Sequence, residues 1–196
     1  MATAFTPRER ERINESLLDA ALSCAAGGGM RHCTVDGLAR EAGISKGAFY
    51  GFYESKEHLF LSMLERLHNQ MYGSAEKVLE ERSDMPIAQR VALAVQSVCS
   101  VAEKSNAIRF LREEVPLLLR RLPENLLREH YRSDEERIRL LIQKADVTLN
   151  ASIDTACAVV RLILMSLIVK DDVGERYDEA VRLMIDGSCR MLVQSP

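Results

Sequence analysis

Proline and glycine are scarce in this 196-residue chain, at five and ten residues, and three of the glycines stand together at Gly27–Gly29. Long stretches therefore run without a helix breaker, and none sustains the period-two alternation of a half-buried strand. An excess of positive charge is also missing. The formal net charge of −3 excludes a strong global attraction to nucleic acid, while leaving room for a small positive face on an acidic body. The opening MATAFTPRER has no basic-then-apolar leader design, and the most apolar run, Ala156–Val169, is broken by Arg161 and is too short to span a bilayer. These absences predict a soluble, cytoplasmic protein with no membrane partner. The five cysteines (Cys24, Cys33, Cys99, Cys157, Cys189) are an odd number without CxxC or metal-type spacing, so packed, reduced thiols are expected. The histidines (His32, His58, His68, His130) lie in polar or helical contexts with no distinctive setting, and neither metal nor cofactor is expected.

What is present is helical periodicity over an ordinary composition, 47% hydrophobic and 28% charged. Thr6-Pro7-Arg8-Glu9 has the form of a capped helix start, with Pro7 at the first helical position and Glu9 able to close a capping box. Ile13, Leu17, Ala20, Ala21 and Cys24 follow on one face. Thr34 caps a short helix from Val35 to about Ala42, Gly43 suits a left-handed turn, and Ser45 caps a second short helix to about Tyr53. Ser55 caps a long one. Further helices are expected from Pro86 to Lys104, from Asn106 or Ala107 until Pro116 interrupts, from Pro123 to Lys144, over Ala151–Lys170 and over Glu175–Val193. The class predicted is all-α, with about nine helices.

The run Gly43-Ile44-Ser45-Lys46-Gly47 matches the G-x-S-x-G pattern of a hydrolase nucleophile elbow. That elbow needs a strand before the serine and a sheet beneath it. Here a capped amphipathic helix precedes Ser45, no acid–histidine pair accompanies it, and no catalytic residue is assigned. Helix, tight glycine turn and short second helix are instead the layout of a helix-turn-helix. Lys46 offers charge to a phosphate or a guanine edge, Gly47 and Ala48 let the backbone come close, and Tyr50 and Lys56 can reach phosphates. Phe49, Phe52 and Tyr53 read as packing.

From about Arg8 to Phe60, and above all in TVDGLAREAGISKGAFYGFYESKEHLF, the chain resembles the DNA-binding domain of TetR-family transcriptional regulators. The resemblance carries Thr34-Val35, Leu38-Ala39, Ala42–Gly47, Phe49-Tyr50 and Ser55–Glu57 in order and spacing. It implies phosphate contacts at Thr34, Ser45, Tyr50 and Lys56, and base or near-base contacts from Lys46, Gly47 and Ala48. Gly51 and Phe52 depart from the common pattern and cannot make the polar contacts often found there. Between Met1 and Phe60, seven basic residues face eight acidic ones, so any binding face arises from placement.

The expected division is a helix-turn-helix domain at 1–55 and an effector-binding and dimerisation domain at 56–196. Val160, Ile163, Leu164, Leu167, Val181, Met184 and Ile185 are the candidate homodimer surface, the alternative being that each helix faces its own core. Met63, Leu67, Met71, Tyr72 and Phe110 are candidates to line an apolar effector cavity. Arg109 and Glu113 are candidates to orient a polar group, although a solvated charged face is the commoner explanation. The function this predicts is a repressor bound as a dimer to a double-stranded, pseudo-palindromic operator and released by a small-molecule effector. The rivals are a thiol-based redox response at Cys33, whose neighbours Arg31 and His32 favour a thiolate, and a helical enzyme or interaction module that binds no DNA.

Overall fold

The computed structural model describes residues 5–104 and 107–194. No strand occurs among them, and the only sheet-like pairing described is a single bridge between Leu149 and Val193. Helix α1 (Pro7–Gly27) starts as its sequence dictates: Thr6 accepts from the Glu9 amide while the Glu9 carboxylate accepts from the Thr6 amide. Thr34 caps α2 (Val35–Glu41) and Ser45 caps α3 (Lys46–Phe49), each by accepting an amide hydrogen through its hydroxyl. Helix α4 (Lys56–Glu81) follows, with the His58 amide donating to the Ser55 hydroxyl. The chain continues through α5 (Ile87–Lys104), a π-helical stretch (Phe110–Glu114), α6 (Val115–Leu119) and α7 (Glu124–Lys144). Helices α8 (Ile153–Ser166), α9 (Lys170–Val173) and α10 (Tyr177–Leu192) end it.

Three boundaries differ from expectation for physical reasons. Helix α3 closes at Phe49 instead of near Tyr53, because the Gly51 and Phe52 amides tighten onto the Ala48 and Phe49 carbonyls. Pro116, expected to interrupt a helix, sits just behind the π-helical stretch, where the Val115 amide reaches the Phe110 carbonyl and the register change accommodates a residue without an amide hydrogen. Of the two starts considered before it, Asn106 lies outside the described residues. The last expected gap, at 171–174, contains α9 and then Gly174 with φ of +71°, which reverses the chain into α10.

The chain divides into two compact units, and the division is not at residue 55. The first unit joins the N-terminal residues through Arg66 to Arg109–Leu122, and the second joins Leu67–Ile108 to the chain from Pro123 onward. Residues 109–122 belong with the first unit because Phe110 stacks on Phe60, the Glu114 carboxylate accepts from the Met30 amide at 3.0 Å, and Arg109 donates to the Ala26 carbonyl at 3.0 Å. Leu17, Leu38, Phe49, Leu59, Phe60 and Phe110 are fully buried there. In the second unit α5 packs on α10 and α7 on α8, over Ala94, Val98, Ile138, Ile163 and Ile185.

The expectation of five reduced thiols is corrected at two positions: Cys24 and Cys33 are joined in a disulfide. Gly29, with φ of +81°, folds the chain back through turns at Gly29–His32 and Met30–Cys33, leaving the two Cα atoms 5.9 Å apart. Cys99, Cys157 and Cys189 are free and buried, and burial pushes the thiols of Cys99 and Cys189 up to about 11. The thiolate is the nucleophile. At pH 8 the native chain should therefore alkylate very slowly, and denaturation without reductant should expose three thiols and with reductant five, as counted by mass spectrometry of the alkylated protein.

Candidate nucleic-acid interface and effector cavity

The helix-turn-helix is built from backbone chemistry. Gly43 adopts φ of +72°, its amide bonds to the Arg40 carbonyl, and the next amide, Ile44, bonds to the Ala39 carbonyl at 2.9 Å. Helix α2 thus stops sharply and Ser45 is aimed at the start of α3. Ile44 is half-buried as the pivot, and Phe49 is fully buried beneath α3. The opposite side of α3 faces solvent: Ser45, Lys46, Gly47 and Tyr50 are exposed, Ala48 is partly so, and Thr34 is exposed at the head of α2. Tyr50 rests edge-on against Phe49, which fixes its ring while 52% of the residue stays accessible.

Six of the seven residues assigned to DNA contact therefore lie at the exposed starts of α2 and α3 or along α3 and its C-cap. Lys56 is different. Its ammonium donates to the carbonyls of Met30 at 3.0 Å and Cys33 at 3.1 Å, a positioning task within the protein. Lys46 forms an exposed pair with Asp36 at 3.4 Å, an interaction worth little in water and easily exchanged for a phosphate. Gly51 has a role unrelated to any outside partner: a Cβ there would press on the Ala48 carbonyl at 3.2 Å. Its own carbonyl accepts from Arg10 at 3.0 Å, and the Arg10 guanidinium lies over the Phe52 ring, 4.6 Å from its centre. Arg10 is a bracing residue that sequence reasoning missed, since nothing in α1 alone marks it as a partner of the turn after α3. Tyr53 completes the brace by donating to Asn14 at 2.5 Å, and burial raises its hydroxyl above the usual tyrosine range.

The second unit contains an apolar cavity of about 80 Å³. Tyr72 of α4, Val98 of α5, Ile138 of α7, Val160 and Leu164 of α8 and Cys189 of α10 contribute to its wall. The residues expected to form an effector pocket lie elsewhere. Met63 is buried in the first unit, Leu67 and Met71 are buried in the second but off the cavity, and Phe110, Arg109 and Glu113 belong to the first unit, where Arg109 pairs with Glu113 at 3.0 Å. Of the named candidates, Tyr72 alone reaches the cavity, although the central helices do supply much of its wall.

The candidate dimer residues are also divided. Ile163, Leu167 and Ile185 are buried within their own unit, Val160 and Leu164 face the cavity, and Val181 is half-buried. Met184 is exposed, and beside it runs an apolar stripe one position out of phase. Leu162 (65% exposed), Met165 and Val169 follow α8, and Leu183 (68%) and Met191 (78%) follow α10. Sequence reasoning also passed over a cluster in the second unit, His68 with His130 and Asp134. No helix among the described residues is long and apolar enough to cross a membrane.

Comparison with known proteins gives these features a context. Residues 17–63 match the family model described as bacterial regulatory proteins, tetR family. The nucleoid occlusion factor SlmA of Aliivibrio fischeri is 26% identical over 100 residues, 51% of this chain and 50% of that protein, so the chain spans about half the length of this curated relative. Among solved structures, a TetR-family transcription regulator from Marinobacter aquaeolei superposes with a TM-score of 0.67 at 16% identity, covering 96% of this chain and 100% of that one. The transcriptional regulator FadR from Bacillus subtilis, solved with stearoyl-CoA, gives 0.63 at 17% identity, covering 88% and 98%. At these identities the structures establish a shared fold.

The turn itself can be tested apart from any ligand. An added Cβ at Gly43 meets nothing within 4 Å, so Gly43→Ala should cost only the left-handed conformation, about 1 kcal/mol. That is a fall in melting temperature of roughly 2–4 °C for a chain of this size. A larger fall by calorimetry would mean that the turn is held by more than its backbone angle.

Proposed function

The chain belongs to the TetR family of bacterial regulatory proteins, and from that premise we propose that it represses transcription as a homodimer on a pseudo-palindromic duplex operator and is released by an apolar small molecule. It is a DNA-binding regulator in this reading, acts in the cytoplasm and catalyses no reaction. The observation that carries the proposal is the solvent-facing edge of α3: Ser45, Lys46, Gly47, Ala48 and Tyr50, held outward by the Gly43 turn and braced from behind by Arg10 and Tyr53. Lys46 and the small backbone-exposing residues beside it suit base edges, whereas Thr34, Ser45 and Tyr50 supply hydroxyls to phosphates. Lys56 acts chiefly by placing the start of α4.

One recognition helix reads only a few base pairs, so two copies are needed. The exposed side chains of Leu162, Met165, Leu183, Met184 and Met191 support a dimer through α8 and α10, since several large apolar side chains left exposed on two neighbouring helices favour a partner. Replacing two of them, Leu162→Glu with Leu183→Glu, should give a folded monomer by analytical ultracentrifugation and abolish operator binding. A folded dimer with both changes would refute this surface.

The cavity supports release by an apolar effector. Its 80 Å³ is far below the roughly 300–1,000 Å³ of ordinary small-molecule sites, so a ligand enters only by displacing a wall. One wall is α4, which begins at Lys56, and a ligand that prefers the displaced state shifts the population of DNA-competent dimers. FadR, solved with stearoyl-CoA, supports the plausibility of a long apolar ligand on this fold.

The deciding experiment is selection from a pool of random duplexes, followed by sequencing of the retained fraction. A pseudo-palindrome should be enriched, lost with Lys46→Ala, and bound with an affinity that falls by about 0.9 log unit per tenfold rise in salt for each phosphate neutralised. No enrichment by folded dimer at low salt would overturn the reading. A second reading, redox response, is favoured by the Cys24–Cys33 disulfide lying directly before the Thr34 cap. A dithiol reductant would convert it to two thiols while itself becoming a disulfide. Operator affinity that is equal before and after that reduction would dismiss it.

A further inference from the structure

His68 stands on α4, and His130 and Asp134 stand one turn apart on α7, all within the second unit. His130 is only 6% exposed and is the single buried polar or charged residue among the described residues. The two imidazole rings stack with centres 5.5 Å apart, at 23° to one another. The Asp134 carboxylate lies between their inner nitrogens, one oxygen 2.8 Å from Nδ1 of His68 and the other 3.8 Å from Nε2 of His130. One potential ligand atom from each of the three residues lies within 4.8 Å of the other two.

We propose that His68, His130 and Asp134 form a binding site for one divalent transition-metal ion of the zinc type, bridging α4 and α7. Ligand atoms around such an ion, at bond lengths of about 2.0–2.2 Å in tetrahedral geometry, are separated by roughly 3.3 Å. Small side-chain rotations are therefore enough to close the cluster on a metal. The donor set chooses the class of ion. Two imidazoles and one carboxylate suit zinc, cobalt, nickel or copper(II), whereas calcium and magnesium demand several oxygens. The Arg137 guanidinium, 6.0 Å from the centre of the Tyr72 ring, adds positive charge nearby that opposes any divalent cation, so selectivity rests on the imidazole donors.

Three protein ligands leave a fourth position for water or for a donor atom of another molecule. The site also adjoins the apolar cavity through one residue: Tyr72 lines the cavity and meets the His68 ring edge-on, with centres 6.0 Å apart. A bound metal would hold together α4 and α7, two helices that wall the cavity. Metal occupancy is thus a means of setting how far those walls part, whatever the effector is.

The test uses the full, untagged chain, treated with chelator and dialysed, and titrated with Co²⁺ while visible absorption is followed. One Co²⁺ per chain should bind with a ligand-field band of low coordination number, and Zn²⁺ should displace it while Mg²⁺ and Ca²⁺ do not. His68→Gln and Asp134→Asn, shown to be folded by circular dichroism, should each weaken binding by roughly tenfold or more. In the unaltered chain, Zn²⁺ should shift the imidazole proton resonances of His68 and His130 and leave those of His32 and His58 in place. No Co²⁺ band from folded wild-type chain would overturn the proposal. So would undiminished binding by both variants, or a shift confined to His32 and His58.

Discussion

A lysine ammonium at the wrong end of a helix organises the first unit. Lys56 is the first residue of α4, where the helix dipole is positive and a cation is disfavoured by roughly 0.3–1 kcal/mol. It is held there by two charge-assisted hydrogen bonds to the carbonyls of Met30 and Cys33. Those carbonyls belong to the turn that also receives the Glu114 carboxylate on the Met30 amide and the disulfide from Cys24. Thr34, the next residue, caps α2. One short turn therefore sets the end of α1, the start of α2, the start of α4 and the seat of the π-helical stretch. Gly29 suits it by its positive φ, and an added Cβ would also push aside the carboxylate of Glu114, the far end of a flexible side chain.

This arrangement separates what the sequence announces from what it conceals. Caps at Thr6, Thr34, Ser45 and Ser55 and the turn at Gly43 are legible because each is a local bond between residues at most five positions apart. For the same reason, the exposed edge of α3 follows from the position of its buried partner Phe49. The membership of residues 109–122 is not legible. It depends on Phe60 meeting Phe110 and Met30 meeting Glu114, pairings between residues with no shared periodicity. Two residues that look like a pocket wall, Arg109 and Phe110, instead anchor a distant stretch to the N-terminal core, while Glu113 pairs with Arg109 and Arg112. The disulfide is hidden similarly: the spacing of Cys24 and Cys33 signals nothing until Gly29 folds the chain back.

Apolar breadth explains why the exposed stripe is displaced from the expected one. On α8 the hydrophobic residues occupy most of the circumference, so periodicity identifies a greasy helix without saying which arc its own unit covers. Packing against α7 and α10 buries Ala156, Cys157, Ile163 and Leu167, the cavity takes Val160 and Leu164, and Leu162, Met165 and Val169 remain for solvent or a partner. A helix apolar nearly all round is costly to expose on a monomer. Its composition is better explained by three neighbours than by one.

Helix α4 belongs to both units. Its first residues lie in the unit containing the recognition helix, and its remainder, with Tyr72 and His68, lies in the unit containing the cavity. The Lys56 hydrogen bonds make its start stiff, because a shift there must break two charge-assisted bonds or carry the Met30–Cys33 turn along. The small apolar cavity makes its later turns responsive, since filling 80 Å³ with anything larger requires a wall to move. The hydrogen-bonded interior of α4 contains no proline, and its one glycine, Gly73, follows Tyr72 directly. Any bending is therefore expected beside Tyr72 itself, on the cavity side of His68.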